Sequence, residues 1–173
     1  MLEDYVPVYN AHVVDLLSKQ GVCLVGKASM DELAMGGTNK SALTGPVYNP
    51  WDTSRIAGGS SGGSAALVAS GVVPFALGSD TGDSIRKPAG FCGIVGFKPT
   101  WGRISRYGVI PYASSLDTVG AFTRNVRDMA IVTEAMAGRD NRDMTSSFKE
   151  VPHYLENLTD DIKGLKICCF DIS

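Results

Sequence analysis

With 173 residues and 44% hydrophobic content, the chain can enclose one ordinary globular core. Its formal net charge of −2 excludes the basic surplus of a stand-alone nucleic-acid binder, so an RNA partner would have to be held mainly by another chain. No apolar run is long enough to cross a bilayer: the longest, residues 65–77, is interrupted by Ser70, Gly71 and Pro74.

The opening Met1-Leu2-Glu3-Asp4-Tyr5 has neither a basic region nor an apolar signal core. Residues 8–20 predict a helix, with Val13, Val14, Leu16 and Leu17 on one side and Gly21 as the stop. Val22-Cys23-Leu24-Val25 then predicts a short buried strand, and a helix leading into a buried strand suggests α/β layers. One or two helical turns are expected over 30–35. Residues 37–57 are polar, with Pro46 and Asn49-Pro50, and predict a long ordered loop of the kind that carries function.

A glycine-serine stretch, 58–63, runs without a gap into a helix over 64–69, which argues against a flexible linker. A buried strand is expected at 73–78, a tight turn at 79–84 and a short segment at 88–92. Extended pieces are expected at 97–100 and 102–105. Residues 125–136 predict a helix whose buried stripe is Val126, Met129, Ala130, Val132 and Met136, ended by Gly138. Residues 139–159 are polar and poorly periodic, and 165–170 is a last strand candidate. No internal repeat is present.

Cys23, Cys92, Cys168 and Cys169 form no Cys-x-x-Cys pair, and buried free thiols in a reducing compartment are expected. His12 and His153 lack ligand-like spacing, so a metal site is not expected.

Two segments carry chemistry: Gly58-Gly59-Ser60-Ser61-Gly62-Gly63-Ser64 and Gly78-Ser79-Asp80-Thr81-Gly82-Asp83-Ser84-Ile85-Arg86. A phosphate-cradling loop needs a lysine followed by Ser or Thr after the last glycine, whereas Gly63 precedes Ser64-Ala65. The dinucleotide fingerprint fails on glycine spacing. Nucleophilic serine catalysis fits better. A serine hydroxyl needs a neighbour to take its proton, and backbone N–H groups aimed at the developing oxyanion. Thr81-Gly82-Asp83-Ser84 is a turn that can offer both a nucleophile and such donors. On the residues alone, a Gly-Ser turn that merely reverses the chain is an equally good reading.

The two segments, 24 residues apart from Ser60 to Ser84 (84 − 60), resemble the signature of the amidase-signature family. Met30-Asp31-Glu32-Leu33-Ala34-Met35-Gly36, Ser105-Arg106-Tyr107-Gly108, Ser114-Ser115-Leu116-Asp117 and Ala137-Gly138-Arg139-Asp140 extend the resemblance over nearly the whole chain. They are most similar to the A subunits of tRNA-dependent amidotransferases. The resemblance implies an α/β fold with a mixed, twisted sheet covered by helices, only part of which falls within 1–173.

It further implies a Ser–Ser–Lys relay. Ser84 would be the nucleophile on glutamine and Ser60 the bridging serine, preceded by a cis peptide bond. The N–H groups of Thr81, Gly82, Asp83 and Ser84 would form the oxyanion hole, and Met35 and Gly36 would line the substrate pocket. Ser60 and Ser84 are expected within hydrogen-bonding reach. The implied partners are amidotransferase subunits B and C, with tRNA bound through the complex and no membrane. ATP and Mg²⁺ are used by the partner, and no cofactor belongs to this chain. The implied product is Gln-tRNA(Gln) made from Glu-tRNA(Gln), with Asp-tRNA(Asn) as the alternative acceptor, and the implied compartment is the cytoplasm, with an organelle as the alternative.

The resemblance breaks in three places. The family's lysine lies upstream of the glycine-serine block in a string that 1–173 does not contain, and Lys27 matches a different position. The C-terminal half of the family's fold has no counterpart. Asp83 stands where glycine is commonest, so its carboxylate is expected to turn towards Lys87 or Arg86 and away from the oxyanion. A general amide hydrolase and a catalytically silent, partner-binding piece are the alternatives.

Overall fold

A computed structural model describes residues 4–166. Helix α1 spans His12–Lys19 and is followed by a single 3-10 turn, Glu32–Ala34. A hairpin of β1, Tyr48–Asn49, and β2, Asp52–Ile56, leads to α2, Gly62–Ala69. Strand β3, Phe75–Asp80, precedes α3, Arg86–Cys92, and β4, Val95–Phe97. Strand β5, Thr118–Thr123, and α4, Val126–Met136, complete the series.

The main sheet has the order β3-β5-β4, and both pairings are antiparallel. Phe75 faces Thr123, Asp80 faces Thr118, and Phe97 faces Ala121. The alternation of β5 divides the core in two. Val119 and Ala121 pack with Val13 and Leu17 of α1 and with Met129, Val132 and Met136 of α4. Phe122 packs with Ala65 and Val68 of α2 and with Ile85, Ala89 and Cys92 of α3. Helices therefore cover both faces, the α/β layering the sequence predicts. Phe122 is fully buried, which stabilises the fold by about 1.5–3 kcal/mol. Gly78 and Gly120 are opposite each other in the sheet, and a Cβ on Gly120 would lie 2.1 Å from the Phe97 carbonyl. A Cβ on Gly78 would lie 2.8 Å from the Phe122 ring and 2.9 Å from Ser61 Oγ. The bare glycines let the helix that follows Ser60 lie close on the sheet.

Several elements differ from expectation. Helix α1 starts at His12, because Ala11 is extended and the Asn10 side chain reaches forward to Asp15 Oδ1 at 3.0 Å. Val22-Cys23-Leu24-Val25 is no strand. Among the described residues no strand pairs with it, and Leu24 and Val25 are 71% and 77% exposed. Cys23 is accordingly an exposed free thiol, while Cys92 is buried and its thiol is pushed up to about 11 by burial. The polar stretch 37–57 contains the β1–β2 hairpin, whose Trp51 Nε1 and Asn49 Nδ2 donate to the Cys92 and Phe91 carbonyls, both at 2.7 Å. These bonds satisfy carbonyls that the end of α3 would otherwise leave free. Residues 102–105 form turns around the buried Ile104. Strand β5, central to the sheet, is absent from the sequence-based expectation. The stripe of α4 is as expected except for Val126, which is 58% exposed. Cys168, Cys169 and most of the predicted 165–170 strand lie outside the described residues.

Candidate active site

The glycine-serine block and the nucleophile turn meet where α2 begins and β3 ends. Helix α2 starts inside the block, so Ser60 and Ser61 lie at its entrance. The Ser61 N–H donates to the Ser84 carbonyl at 3.2 Å, tying the two segments together. Ser60 is fully buried and Ser84 nearly so. The Gly59–Ser60 peptide bond is cis, as the resemblance implies.

The turn 81–84 is braced by two carboxylates. Asp80, fully buried, accepts from the N–H groups of Ile85 and Arg86 at 3.0 and 3.3 Å. It also accepts from Arg86 Nε at 3.2 Å and Nη2 at 3.0 Å, and Nη2 donates to the Gly82 carbonyl as well. Burial opposes ionisation of Asp80 more than any single partner favours it. The Arg86 guanidinium and the two N–H groups together outweigh it, and hold its carboxyl below the usual carboxylate range. From the other side, Thr81 Oγ1 donates to Asp117 Oδ1 at 2.6 Å. Asp117 is itself fixed by the Tyr112 and Ala113 N–H groups. Thus pinned, the turn leaves four consecutive N–H groups unused: among the described residues none of Thr81, Gly82, Asp83 and Ser84 donates a backbone hydrogen bond. Unused backbone N–H groups beside a serine are the donors an oxyanion hole needs.

Asp83 pairs with Lys87, Oδ2 to Nζ 2.6 Å, one helical turn further on. Its charge is directed to Lys87 as expected. Arg86, the other candidate, is taken up by Asp80. The Lys87 amine lies over Gly37, where a Cβ would be 2.7 Å away.

No hydrogen bond joins the two serine hydroxyls. Ser60 Oγ is buried and has no hydrogen-bond partner. A bridging hydroxyl orients on the acceptor it donates to, and no such acceptor among the described residues reaches Ser60. Met35 follows the 3-10 turn and is 52% exposed, with Gly36 beside it. A cleft next to them is lined by Ala34, Ser79, Thr81, Ile110, Tyr112 and Asp117. Leu33, Ala34 and Asn39 adopt the left-handed backbone region, at φ of 55°, 62° and 60°. Such conformations are uncommon for residues other than glycine and collect at functional loops. Sequence reasoning gave no role to Asp31, Asp80 or Asp117. All three stand inside the quoted motif strings, and that position was their one signal.

With this geometry in place, comparison with known proteins is decisive: the amidase family profile matches residues 1–171. The chain belongs to the amidase family. It is 55% identical over 167 residues to the A subunit of a glutamyl-tRNA(Gln) amidotransferase from a Sulfurihydrogenibium species, an alignment covering 96% of this chain and 34% of that one. Its fold is similar to the crystal structure of the corresponding amidotransferase chain from Thermotoga maritima, with a TM-score of 0.84 and 51% identity over 86% of this chain and 33% of the other. It is also similar to an amidase family protein from Bacillus anthracis, with a TM-score of 0.85 and 36% identity over 91% and 33% of the two chains. This amidase chain spans about a third of the length of the curated relatives it matches.

Proposed function

We propose that the chain is the nucleophile-bearing part of the glutamine-hydrolysing component of an amidotransferase. One observation carries the reading: a buried serine hydroxyl without a partner, Ser60, precedes Ser61, whose N–H donates to the carbonyl of Ser84 at the end of a turn of four unused N–H groups. The 55% identity to the A subunit of a glutamyl-tRNA(Gln) amidotransferase supports the choice of substrate.

In this mechanism Ser84 Oγ attacks the carboxamide carbon of glutamine. Its proton passes to Ser60 as Ser60 gives up its own to a neutral amine, and the amine's proton later returns through Ser60 to the leaving ammonia. The carbonyl oxygen, negative in the tetrahedral intermediate, is received by the N–H groups of residues 81–84. Water then hydrolyses the acyl-serine to glutamate. The amine is assigned to a lysine outside residues 1–173, where the family resemblance places it, in keeping with a Ser60 Oγ that no acceptor among the described residues reaches. Met35 and Gly36 border the glutamine pocket. The ammonia serves partner subunits B and C, which use ATP and Mg²⁺ to convert Glu-tRNA(Gln) to Gln-tRNA(Gln). The complex is assigned to the cytoplasm, where thiols such as Cys23 and Cys92 stay reduced.

Release of glutamyl hydroxamate from glutamine and hydroxylamine tests the proposal. The complete enzyme forms hydroxamate, its Ser84→Ala and Ser60→Ala variants do not, and residues 1–173 alone do not. Hydroxamate formation by the Ser84→Ala enzyme would overturn the assignment. Formation by residues 1–173 alone, lost on Lys27→Ala, would make Lys27 the base. The similarity to the Bacillus anthracis amidase supports one second reading, a general amide hydrolase. That enzyme would cleave simple amides as fast as glutamine.

A further inference from the structure

We propose that Asp31 is a positioning residue for Ser60, an inference that rests on the bridging role just assigned to that serine. Asp31 is 1% exposed, and no cationic side chain among the described residues pairs with it. A buried carboxylate is costly unless hydrogen bonds compensate it. Here the compensation comes from one loop. Asn39 N–H donates to Oδ2 at 2.8 Å, and Ser41 donates to Oδ1 from its hydroxyl at 2.8 Å and its N–H at 3.3 Å.

Both ends of this clamp hold the glycine-serine block. The N–H of Asp31 donates to the Ser60 carbonyl at 3.0 Å. Asn39, kept in its left-handed conformation by the bond to Asp31, accepts from the Gly62 N–H through Oδ1 at 3.0 Å. The Ser84 carbonyl takes the Ser61 N–H between them. Three successive residues, Ser60, Ser61 and Gly62, are thus fixed from outside the block, two of them by the Asp31–Asn39 loop. The packing leaves no slack: a Cβ on Gly59 would lie 2.2 Å from Asp31 Oδ2, and one on Gly36 would lie 2.3 Å from Asp31 Cγ. The carboxylate is wedged between the residue next to Met35 and the peptide that carries Ser60. It couples the rim of the glutamine pocket to the relay serine.

Residue-resolved hydrogen exchange on the full chain tests the clamp without relying on catalysis. Asp31→Asn turns an amide group towards donors that need an acceptor. Exchange at the Ser61 and Gly62 amides is expected to accelerate by at least about tenfold, with the Ala121 amide of β5 unchanged. Ser41→Ala removes one donor only, and produces a smaller acceleration at the same two amides should Asp31→Asn fail to fold. Unchanged exchange at Ser61 and Gly62, or an equal acceleration that includes Ala121, overturns the proposal. In the complete enzyme, glutamine turnover per titrated Ser84 is expected to fall by about 100-fold in Asp31→Asn with KM preserved, the scale of a misplaced catalytic group. A loss of titratable sites at unchanged turnover per site would mark Asp31 as merely structural and overturn the proposal. Activity surviving in Ser84→Ala would instead overturn the functional reading and leave the exchange result standing.

Discussion

The surroundings of Ser84 and Ser60 are built from different interactions. Around Ser84 the turn is tied by charge: Asp80 to Arg86, Asp83 to Lys87, and Thr81 to the carboxylate of Asp117. Around Ser60 the ties are backbone groups, one amide side chain and a carboxylate, and among the described residues that carboxylate has no cation and the serine hydroxyl no partner. The turn that ends at Ser84 is braced within residues 4–166, whereas Ser60 Oγ finds no acceptor among them. Buried polar side-chain atoms without a partner are few among the described residues, and two of the four, Ser60 Oγ and Asn39 Nδ2, lie at the glycine-serine block and the loop that holds it.

The sharpest way to break the contrast is to remove the charge on the Ser84 side. Asp80→Ala deprives the Ile85 and Arg86 N–H groups and the guanidinium of their acceptor. A loss of roughly 2–3 kcal/mol is expected in urea denaturation, since bonds to a charged group are involved and Arg86 can turn to solvent. On the Ser60 side the sign reverses. Ser60→Ala removes a buried hydroxyl that gains nothing in the folded chain, so residues 1–173 should become more stable by about 1 kcal/mol, while the complete enzyme loses hydroxamate formation. A destabilised Ser60→Ala chain would show that the hydroxyl has a partner after all.

Acid sharpens the comparison further. Burial disfavours the charge on Asp140, but the Arg142 side chain and N–H, the Ser105 hydroxyl and His12 outweigh it and hold the carboxyl at about 2. Asp80 is lowered in the same direction. A carboxyl with a depressed folded pKa binds its proton more readily in the unfolded chain. Its stabilisation is therefore present above the ordinary value of 3.8 and is lost as the pH falls towards 2. Thermal unfolding between pH 5 and about 2 should show this fall, and Asp140→Asn should flatten it. The smallest effect is expected at the pocket rim. Ala34→Gly places a residue that tolerates φ of 62° in that conformation, and a gain of about 0.5 kcal/mol is expected from thermal unfolding.

How much of this was legible in the sequence depended on how local the cause was. Helix α4 was readable because its own residues carry the stripe Met129, Ala130, Val132 and Met136, and Asn125 caps it through the Asp128 N–H at 2.8 Å. The turn at Ser84 and the cis bond before Ser60 were legible through the signature strings. Strand β5 was not: Thr118-Val119-Gly120-Ala121-Phe122-Thr123 has two hydroxyls and a glycine, and its burial on both faces depends on α1, α2 and α3, far away in sequence, as well as on the adjoining α4. Val22-Cys23-Leu24-Val25 failed in the opposite direction, since apolar residues form a strand only where a neighbour offers hydrogen bonds. The Asp31 clamp escaped notice because a single carboxylate in a motif gives no sign of being buried against two glycines.

The position of β5 also sets an order of events during synthesis. Strands β3 and β4 never pair with each other; each pairs with β5. When the ribosome has made both of them, together with the two serine segments, the main sheet still cannot form. The faces of α2 and α3 that pack against Phe122 remain wet until residues 118–123 emerge. The glycine-rich serine segments therefore spend their first seconds on an unsupported chain, in the company of exposed apolar surface that chaperones recognise. One late strand closes both halves of the core together, so the two serines acquire their fixed relation in a single step.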